Sequence, residues 1–213
     1  EPKAIVMKGA MQVGGPGTAH EQVFVGRDRV KISSSFGSHG TVTQGQTAEF
    51  CWSTDPAVGI TIRQGAGRLG VARGYAVERR APWTELYASA KTVGVIRIDG
   101  RDTFDLDMTP RDGGDADRWF VDAQTYLPTA FGTLLPNPQG GSLGVRFVFS
   151  EWRDVQGLKL PFKKRMEIGD IALDIVFDSI SLTETVADEA IQPPAEVIAA
   201  FEDPSKRAKE APP

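Results

Sequence analysis

Apolar and polar residues alternate along much of this chain with a period of two, which predicts β-strands with one buried and one water-facing side. The alternation is clearest near the end of the chain, where every second residue from 171 to 177 is apolar: Ile171, Leu173, Ile175 and Phe177. Asp174 and Asp178 fall on the other side of the same strand. Such a strand belongs in an antiparallel sheet that is covered on one face only.

Segments with strand character recur through both halves of the chain. In the first half they cover residues 3–13, 23–26, 29–36 and 46–53. From residue 91 onward they are separated only by short polar or glycine-containing turns, at 91–100, 102–108, 117–125, 127–135, 142–152, 158–168 and 171–182. This succession predicts about eleven strands, joined for the most part as β-hairpins.

The stretch 66–90 interrupts the strand pattern. Apolar residues from Leu69 to Ala76 have helical spacing, but Gly70 and Gly74 fall among them, so the sequence predicts a weak helix. Pro82 ends that helix or starts a turn, which places the aromatic residues after it on a short helix or loop. The glycines of this region also predict a mobile segment that acts as a gate to a ligand site beneath it.

The C-terminal end has a different composition. Residues 195–201 follow a proline pair and have the composition of a short helix. Residues 204–213 are charged and contain several prolines, which predicts a flexible tail. We therefore interpret residues 1–203 as one domain and residues 204–213 as its tail.

These elements predict a mainly β fold. Many strands with one apolar face, and one weak helical stretch, describe a single large curved antiparallel sheet, an unclosed half-barrel, with short helices covering its concave face. A closed barrel or a sandwich of two sheets would produce a similar alternation, so periodicity alone leaves these alternatives open.

Composition excludes several classes of function. The formal net charge of −4 gives no general attraction to phosphate backbones, so the sequence predicts no nucleic-acid partner. The sequence contains no run of about 18 apolar residues, so it predicts no transmembrane helix. Cys51 is the single cysteine and lies in an apolar stretch, which favours a buried, inert thiol. Because the chain starts at Glu1, we expect an exported protein whose signal peptide has been removed.

Three sequence features are candidates for catalytic, metal-binding or nucleotide-binding chemistry. His20 and His39 lack the spacing of metal ligands or of a catalytic pair. The glycine string at 65–70 matches a nucleotide-binding pattern but lacks the expected parallel βαβ unit. The aspartates at 112–117 resemble a calcium loop without its distal glutamate, which favours a solvated hairpin turn. The sequence therefore predicts no enzyme, no metal site and no cofactor.

Turn and strand motifs in the second half resemble a known family. The segment 119–128 reads WFVDAQTYLP, 150–170 contains a Gly followed by a Leu-Pro-Phe strand start, and 171–194 ends in an acidic stretch and a proline pair. Together with KAIVMKGAM at 3–11, these motifs resemble the LolA-like outer-membrane lipoprotein-sorting proteins. The resemblance implies a half-barrel that holds acyl chains of a lipoprotein or another lipid in the periplasm.

The candidate site is therefore an apolar cavity. Its predicted lining comes from the helical stretch and from the strands: Trp83, Leu86, Tyr87, Phe104, Leu106, Phe147, Phe149, Leu160, Phe162, Ile175 and Phe177. The predicted partners are lipid or lipoprotein acyl chains and envelope membrane proteins. The alternatives are a regulatory or sensor domain that reads a partner protein through an edge strand, and a hydrolase.

Overall fold

The computed structural model describes residues 4–12, 15–136 and 142–207, and in these residues thirteen strands form one antiparallel sheet. The strands are β1 (Ala4–Gln12), β2 (Thr18–Val25), β3 (Arg29–Ser35), β4 (Thr41–Gln46), β5 (Cys51–Asp55), β6 (Gly59–Arg63), β7 (Tyr87–Ile98), β8 (Arg101–Pro110), β9 (Asp117–Asp122), β10 (Pro128–Pro136), β11 (Ser142–Val155), β12 (Leu158–Ile168) and β13 (Ile171–Thr183). The α-helices are α1 (Gly65–Gly74), α2 (Ala76–Arg79), α3 (Trp83–Leu86) and α4 (Ala195–Glu202). Short 3₁₀ turns lie at Gly37–His39, Asp188–Ala190 and Pro204–Lys206.

The first strand, β1, lies in the middle of the sheet. The spatial order is β6-β5-β4-β3-β2-β1-β13-β12-β11-β10-β9-β8-β7, so β1 pairs with β13 and the two edges are β6 and β7. Helices α1 to α3 connect these two edges in sequence. The sheet is antiparallel throughout and its edges do not pair with each other, which confirms the predicted unclosed half-barrel.

One face of the sheet, called the inner face below, carries the helices α1 and α2. Strand register places Phe131, Phe147 and Met166 opposite one another on this face. Val77 of α2 packs against the cluster that these residues form. Tyr75, between α1 and α2, packs edge-on against Phe24 of β2 with ring centroids 6.3 Å apart. The predicted covering of the concave face by short helices is therefore present.

Helix α4 packs on the opposite face, which the sequence did not predict. Trp52 and Ile62 point away from the inner face and form a buried cluster with Val197 of α4. The rings of Phe50 and Phe201 stack in the same cluster at 4.3 Å. The C-terminal helix therefore buries the apolar outer side of β5 and β6.

The strand predicted over residues 46–53 is confirmed at residues 46 and 51–53 and is wrong for the residues between them. Strand β4 ends at Gln46 and β5 begins at Cys51, with a turn between them. The hydroxyl of Thr47 accepts hydrogen bonds from the backbone N–H groups of Glu49 and Phe50, at 3.2 and 3.1 Å. Threonine hydroxyls commonly stabilise turns in this way, at the expense of continued strand.

The start of the predicted tail is attached to α4. Arg207 donates from Nε to the carbonyl oxygen of Ala200 at 2.9 Å, next to the 3₁₀ turn at Pro204–Lys206. Residues 208–213 of the predicted tail lie outside the described residues. Of the helices in the described segments, none combines the length and the apolar character needed to cross a membrane.

Candidate functional site

A cavity of about 700 Å³ lies between α1 and the inner face of the sheet. Its walls come from both halves of the sheet, from β1 to β4 and the end of β6 on one side and from β10 to β13 on the other. The loop between β8 and β9 closes part of its rim. A cavity of this size is within the range of small-molecule sites in proteins.

Most of the wall on the side of β11 and β12 is apolar. Strand alternation turns Val145 and Phe147 of β11, and Met166 and Ile168 of β12, into the cavity. Ile175 of β13 continues this surface. These side chains make a continuous apolar surface suited to hydrocarbon.

The side formed by β2 and β3 is polar. His20 Nδ1 lies 2.8 Å from Ser34 Oγ, and Gln22 Nε2 lies 2.9 Å from His20 Nε2. Burial, and then the charge of Lys164, lower the pKa of His20 to about 4. The imidazole is therefore neutral at pH 7 and acts as a hydrogen-bonding member of the cavity wall.

Lys164 is a buried cation in the cavity wall. It donates a hydrogen bond of 2.5 Å to Glu78 of α2, and both side chains are almost fully buried. Its ammonium also lies 4.5 Å from the centroid of the Phe147 ring. Since a buried charge without a partner is strongly unfavourable, this pair ties α2 to the centre of the sheet.

A second buried cluster ties α1 to the β8–β9 region. Arg73 donates from Nε to Asp117 Oδ2 at 2.8 Å and forms a further ion pair with Asp112. Tyr87 donates its hydroxyl to the same Asp117 oxygen at 2.8 Å, and Trp119 donates to Tyr87 Oη at 3.0 Å. Burial is the largest influence on Asp117 and raises its pKa. The prediction of a solvated turn at 112–117 is therefore wrong for these two aspartates.

Two of the predicted lining residues, Phe147 and Ile175, line this cavity. Three others belong to the hydrophobic core centred on β1 to β3: Leu160, Phe162 and Phe177. Phe149 is buried beside Trp152, in the cluster that contains Phe131. Whether any of these contacts a ligand remains a prediction.

The remaining predicted residues lie closer to the β7 edge. Tyr87 is fully buried, but as the first residue of β7 rather than as part of a helix or loop. Trp83 is 48% exposed on α3, and Leu86 is half-buried. Phe104 and Leu106 are half-buried on β8, where Phe104 stacks against Tyr126. Five residues from the helical stretch and β8 are thus outside the cavity lining.

The polar lining was missed by sequence reasoning. On the strands and on α1 it includes His20, Gln22, Ser34, Gln44, Arg63, Arg73, Thr133 and Lys164, and the β8–β9 loop adds Asp112 and Asp115. A search for an apolar cavity passes over such residues. The sequence does contain one relevant signal. A lysine or histidine that falls among the apolar positions of a strand, as Lys164 and His20 do, indicates a polar side chain on the inner face.

The structure also shows the surroundings of the cysteine, of the glycine string at 65–70 and of the potential metal ligands. Cys51 is buried, and burial is the main cause that raises the pKa of its thiol. Residues 65–70 form the start of α1 after β6, which is antiparallel to β5, so the parallel unit of a nucleotide fold is absent from the described sheet. Within the described residues, no group of three or more potential metal ligands comes together.

The comparisons identify the fold. No protein-family model and no curated protein sequence matches the chain. Among solved structures, a LolA superfamily protein from Nitrosomonas europaea superposes with a TM-score of 0.60 at 14% identity, covering 91% of this chain and 90% of that one. A domain assigned to outer membrane lipoprotein sorting in Vibrio parahaemolyticus superposes with a TM-score of 0.60 at 11% identity. The superposition covers 87% of this chain and 88% of that one.

A third structure extends the comparison. A DUF1329 family protein from Desulfovibrio piger superposes with a TM-score of 0.51 at 14% identity, covering 97% of this chain and 92% of that one. At these identities the comparisons establish the fold. The chain therefore has the same fold as a LolA superfamily protein, as the motifs in its second half predicted.

Proposed function

We propose that this chain is a binding protein of the cell envelope that holds a hydrophobic ligand, a lipid or the acyl chains of a lipoprotein, in the cavity beneath α1. The observation that carries the proposal is the cavity itself, about 700 Å³ in volume with an apolar wall from β11 to β13. Burying an acyl chain there contributes about 0.8 kcal/mol for each methylene group. A role in lipid or lipoprotein transport across the periplasm follows from the same proposal.

The fold supports this proposal without specifying the ligand. One structure with the same fold is assigned to outer membrane lipoprotein sorting. Two charged groups of the cavity wall, Lys164 and Arg73, are engaged in buried ion pairs. We therefore propose binding and carriage as the function, without catalysis.

A cavity-filling variant tests the proposal. Val145→Trp places a large side chain into the cavity from β11 and should abolish binding of a neutral fluorescent probe that long-chain alcohols displace from the wild type. Val148→Trp introduces the same side chain on the outer face of the same strand and is the matched control. Thermal melting checks that both variants fold. Unchanged binding by a folded Val145→Trp would place the ligand outside the cavity and refute the proposal.

A second candidate is a protein-interaction domain that reads a partner through β7. This edge strand pairs with β8 only, and Val93, Val95 and Ile96 are at least 40% exposed. An exposed edge can accept an added strand from another chain. Native mass spectrometry of the protein isolated from its own envelope distinguishes the two candidates, because it shows either bound lipid or a bound polypeptide.

A further inference from the structure

A small polar recess branches from the main cavity at the edge of the sheet formed by β4 to β6. Its volume is about 60 Å³, and Gln44, Arg63, Val71 and Tyr75 line both the recess and the cavity. The recess and the cavity therefore adjoin. Together they offer a ligand a large, mainly apolar space and a small polar one.

The recess offers hydrogen-bonding groups of the kind that bind a small anion. Arg63 is the last residue of β6, and its guanidinium can donate two parallel hydrogen bonds to a carboxylate. The hydroxyls of Ser53 and Thr61 lie 2.8 Å apart on the neighbouring strands, and one of them can donate outward. Gln44 adds an amide at the exposed rim.

Arg63 also differs from the other arginine in the cavity wall. Arg73 is neutralised by Asp112 and Asp117. Arg63, in contrast, has no carboxylate partner among the residues that the structure describes. Its stem lies beside α1, since a Cβ at Gly67 would be 3.4 Å from Arg63 Cβ, at ordinary van der Waals distance.

The electrostatic environment of the recess is positive. Burial raises the pKa of the Cys51 thiol, which borders the recess, and the charges of Arg63 and Arg68 act against that rise. Arg68 itself lies on α1 and donates a long hydrogen bond of 3.5 Å to the carbonyl oxygen of Thr47. A negative group placed beside Arg63 would therefore be attracted to the site.

We propose that this recess, centred on Arg63, binds the carboxylate head of a single-chain amphiphile whose hydrocarbon tail occupies the main cavity. The inference rests on the proposed binding function and specifies its ligand class. The recess holds a group the size of a carboxylate, and a glycerophosphate head exceeds its volume of about 60 Å³. Placing the head at the half-exposed rim also keeps the charged group close to water.

The test compares ligands that differ only in the head. Dodecanoic acid, dodecan-1-ol and dodecanoyl lysophosphatidic acid compete with a neutral fluorescent probe bound to the delipidated full chain. We expect the acid to bind the wild type about tenfold to hundredfold more tightly than the alcohol, as a charge-assisted hydrogen bond to Arg63 implies. We expect the lysophosphatidic acid to bind more weakly than the acid.

Variants assign the preference to the recess. Arg63→Gln should remove the advantage of the acid while the affinity for the alcohol stays within about twofold, and Arg63→Lys should retain part of that advantage. Arg68→Gln removes the same charge from a neighbouring residue that does not line the recess, and should reduce the preference much less than Arg63→Gln does. Thermal melting confirms that each variant is folded.

The outcomes separate the two proposals. If the alcohol binds but the acid has no advantage, or if Arg63→Gln weakens both ligands equally, the carboxylate site is wrong and the hydrophobic cavity stands. Tighter binding of lysophosphatidic acid than of the fatty acid would also overturn the carboxylate assignment. If neither the acid nor the alcohol binds the wild type, the proposed function fails together with this inference.

Discussion

Lys164 occupies a position that strand alternation reserves for an apolar side chain. It lies in phase with Leu160, Phe162 and Met166 on β12, and all four face inward. A lysine there needs a counter-charge, because an isolated buried cation is strongly unfavourable. The sequence contains this anomaly, but the partner, Glu78, is 86 residues away and cannot be inferred from spacing.

Breaking this pair should destabilise the fold. Lys164→Met leaves Glu78 as a buried carboxylate without a cation, so the free energy of unfolding should fall by about 3–5 kcal/mol. Urea denaturation followed by tryptophan fluorescence measures this loss. A loss below about 1 kcal/mol would show that the two side chains are separated by water in solution.

A double variant distinguishes the unpaired charge from lost packing. Glu78→Gln combined with Lys164→Met removes both charges, and its destabilisation should be smaller than the sum of the two single losses. The exposed pair between Arg146 and Glu167, 3.3 Å apart, is the control. Arg146→Gln should change the free energy of unfolding by at most about 1 kcal/mol, since solvent screens exposed pairs.

His20 should make stability depend on pH. Its folded-state pKa is lowered from 6.5 to about 4, so between these values the unfolded chain binds the proton and the folded chain does not. The stabilisation is therefore fully present above pH 6.5 and is lost as pH falls toward 4, by about 3 kcal/mol in total. His20→Gln should flatten the dependence of unfolding free energy on pH in this window. An unchanged slope would contradict a buried neutral imidazole.

Among the elements, β1 depends on a close backbone contact with a neighbouring strand. It joins the two halves of the sheet by pairing with both β2 and β13. The register with β13 shifts between Lys8 and Gly9, and a Cβ at Gly9 would lie 1.9 Å from the carbonyl oxygen of Val176. Only glycine permits this approach of the two backbones.

Gly9→Ala should therefore weaken the junction between the halves. The added methyl group must separate β1 from β13, and we expect a destabilisation of about 1–3 kcal/mol, measured by urea denaturation. Gly144→Ala is the matched control on β11, because no atom lies within 4 Å of a Cβ at that position. Its effect should stay within about 0.5 kcal/mol. Equal effects of the two substitutions would contradict the described register.

The elements also show where sequence reasoning succeeds. Strands β12 and β13 were predicted from the alternation of apolar and polar residues. The turn after β9 is stabilised by Asp122, whose carboxylate accepts hydrogen bonds from the backbone of Gln124 and Thr125. Strand β4 was not recognised, because its sequence TVTQGQ contains one strongly apolar residue and its burial comes from tertiary packing. Local pattern predicts an element when the element itself carries the apolar face.

The cavity was harder to predict than the fold. The alternation of apolar and polar residues predicts which side chains face inward. It does not predict which of these side chains pack against one another and which line a cavity. Phe147 and Phe149 share a strand and a face, yet only Phe147 lines the cavity, because Phe149 is covered by Trp152 and its cluster. That difference depends on sheet curvature and on the position of α2, which arise from contacts between distant segments.

At the scale of the whole molecule, the strand order places the cavity between two halves that are far apart in sequence. His20 on β2 and Met166 on β12 border the same space, and α1 spans it between them. A ligand that fills this space contacts both halves and the helix at once. Its binding free energy therefore stabilises all three against opening.

Hydrogen exchange should reveal this coupling. In the empty protein, we expect residues 65–86 to exchange faster than the sheet, because short glycine-containing helices have little stability of their own. A saturating long-chain amphiphile should slow exchange in this segment and in β2, β3, β11 and β12 together. The outer helix α4, which contacts β5 and β6 away from the cavity, is the internal control and should show the smallest change. Protection confined to one half of the sheet would mean that the ligand binds at a surface of that half, and the shared cavity would not be the site.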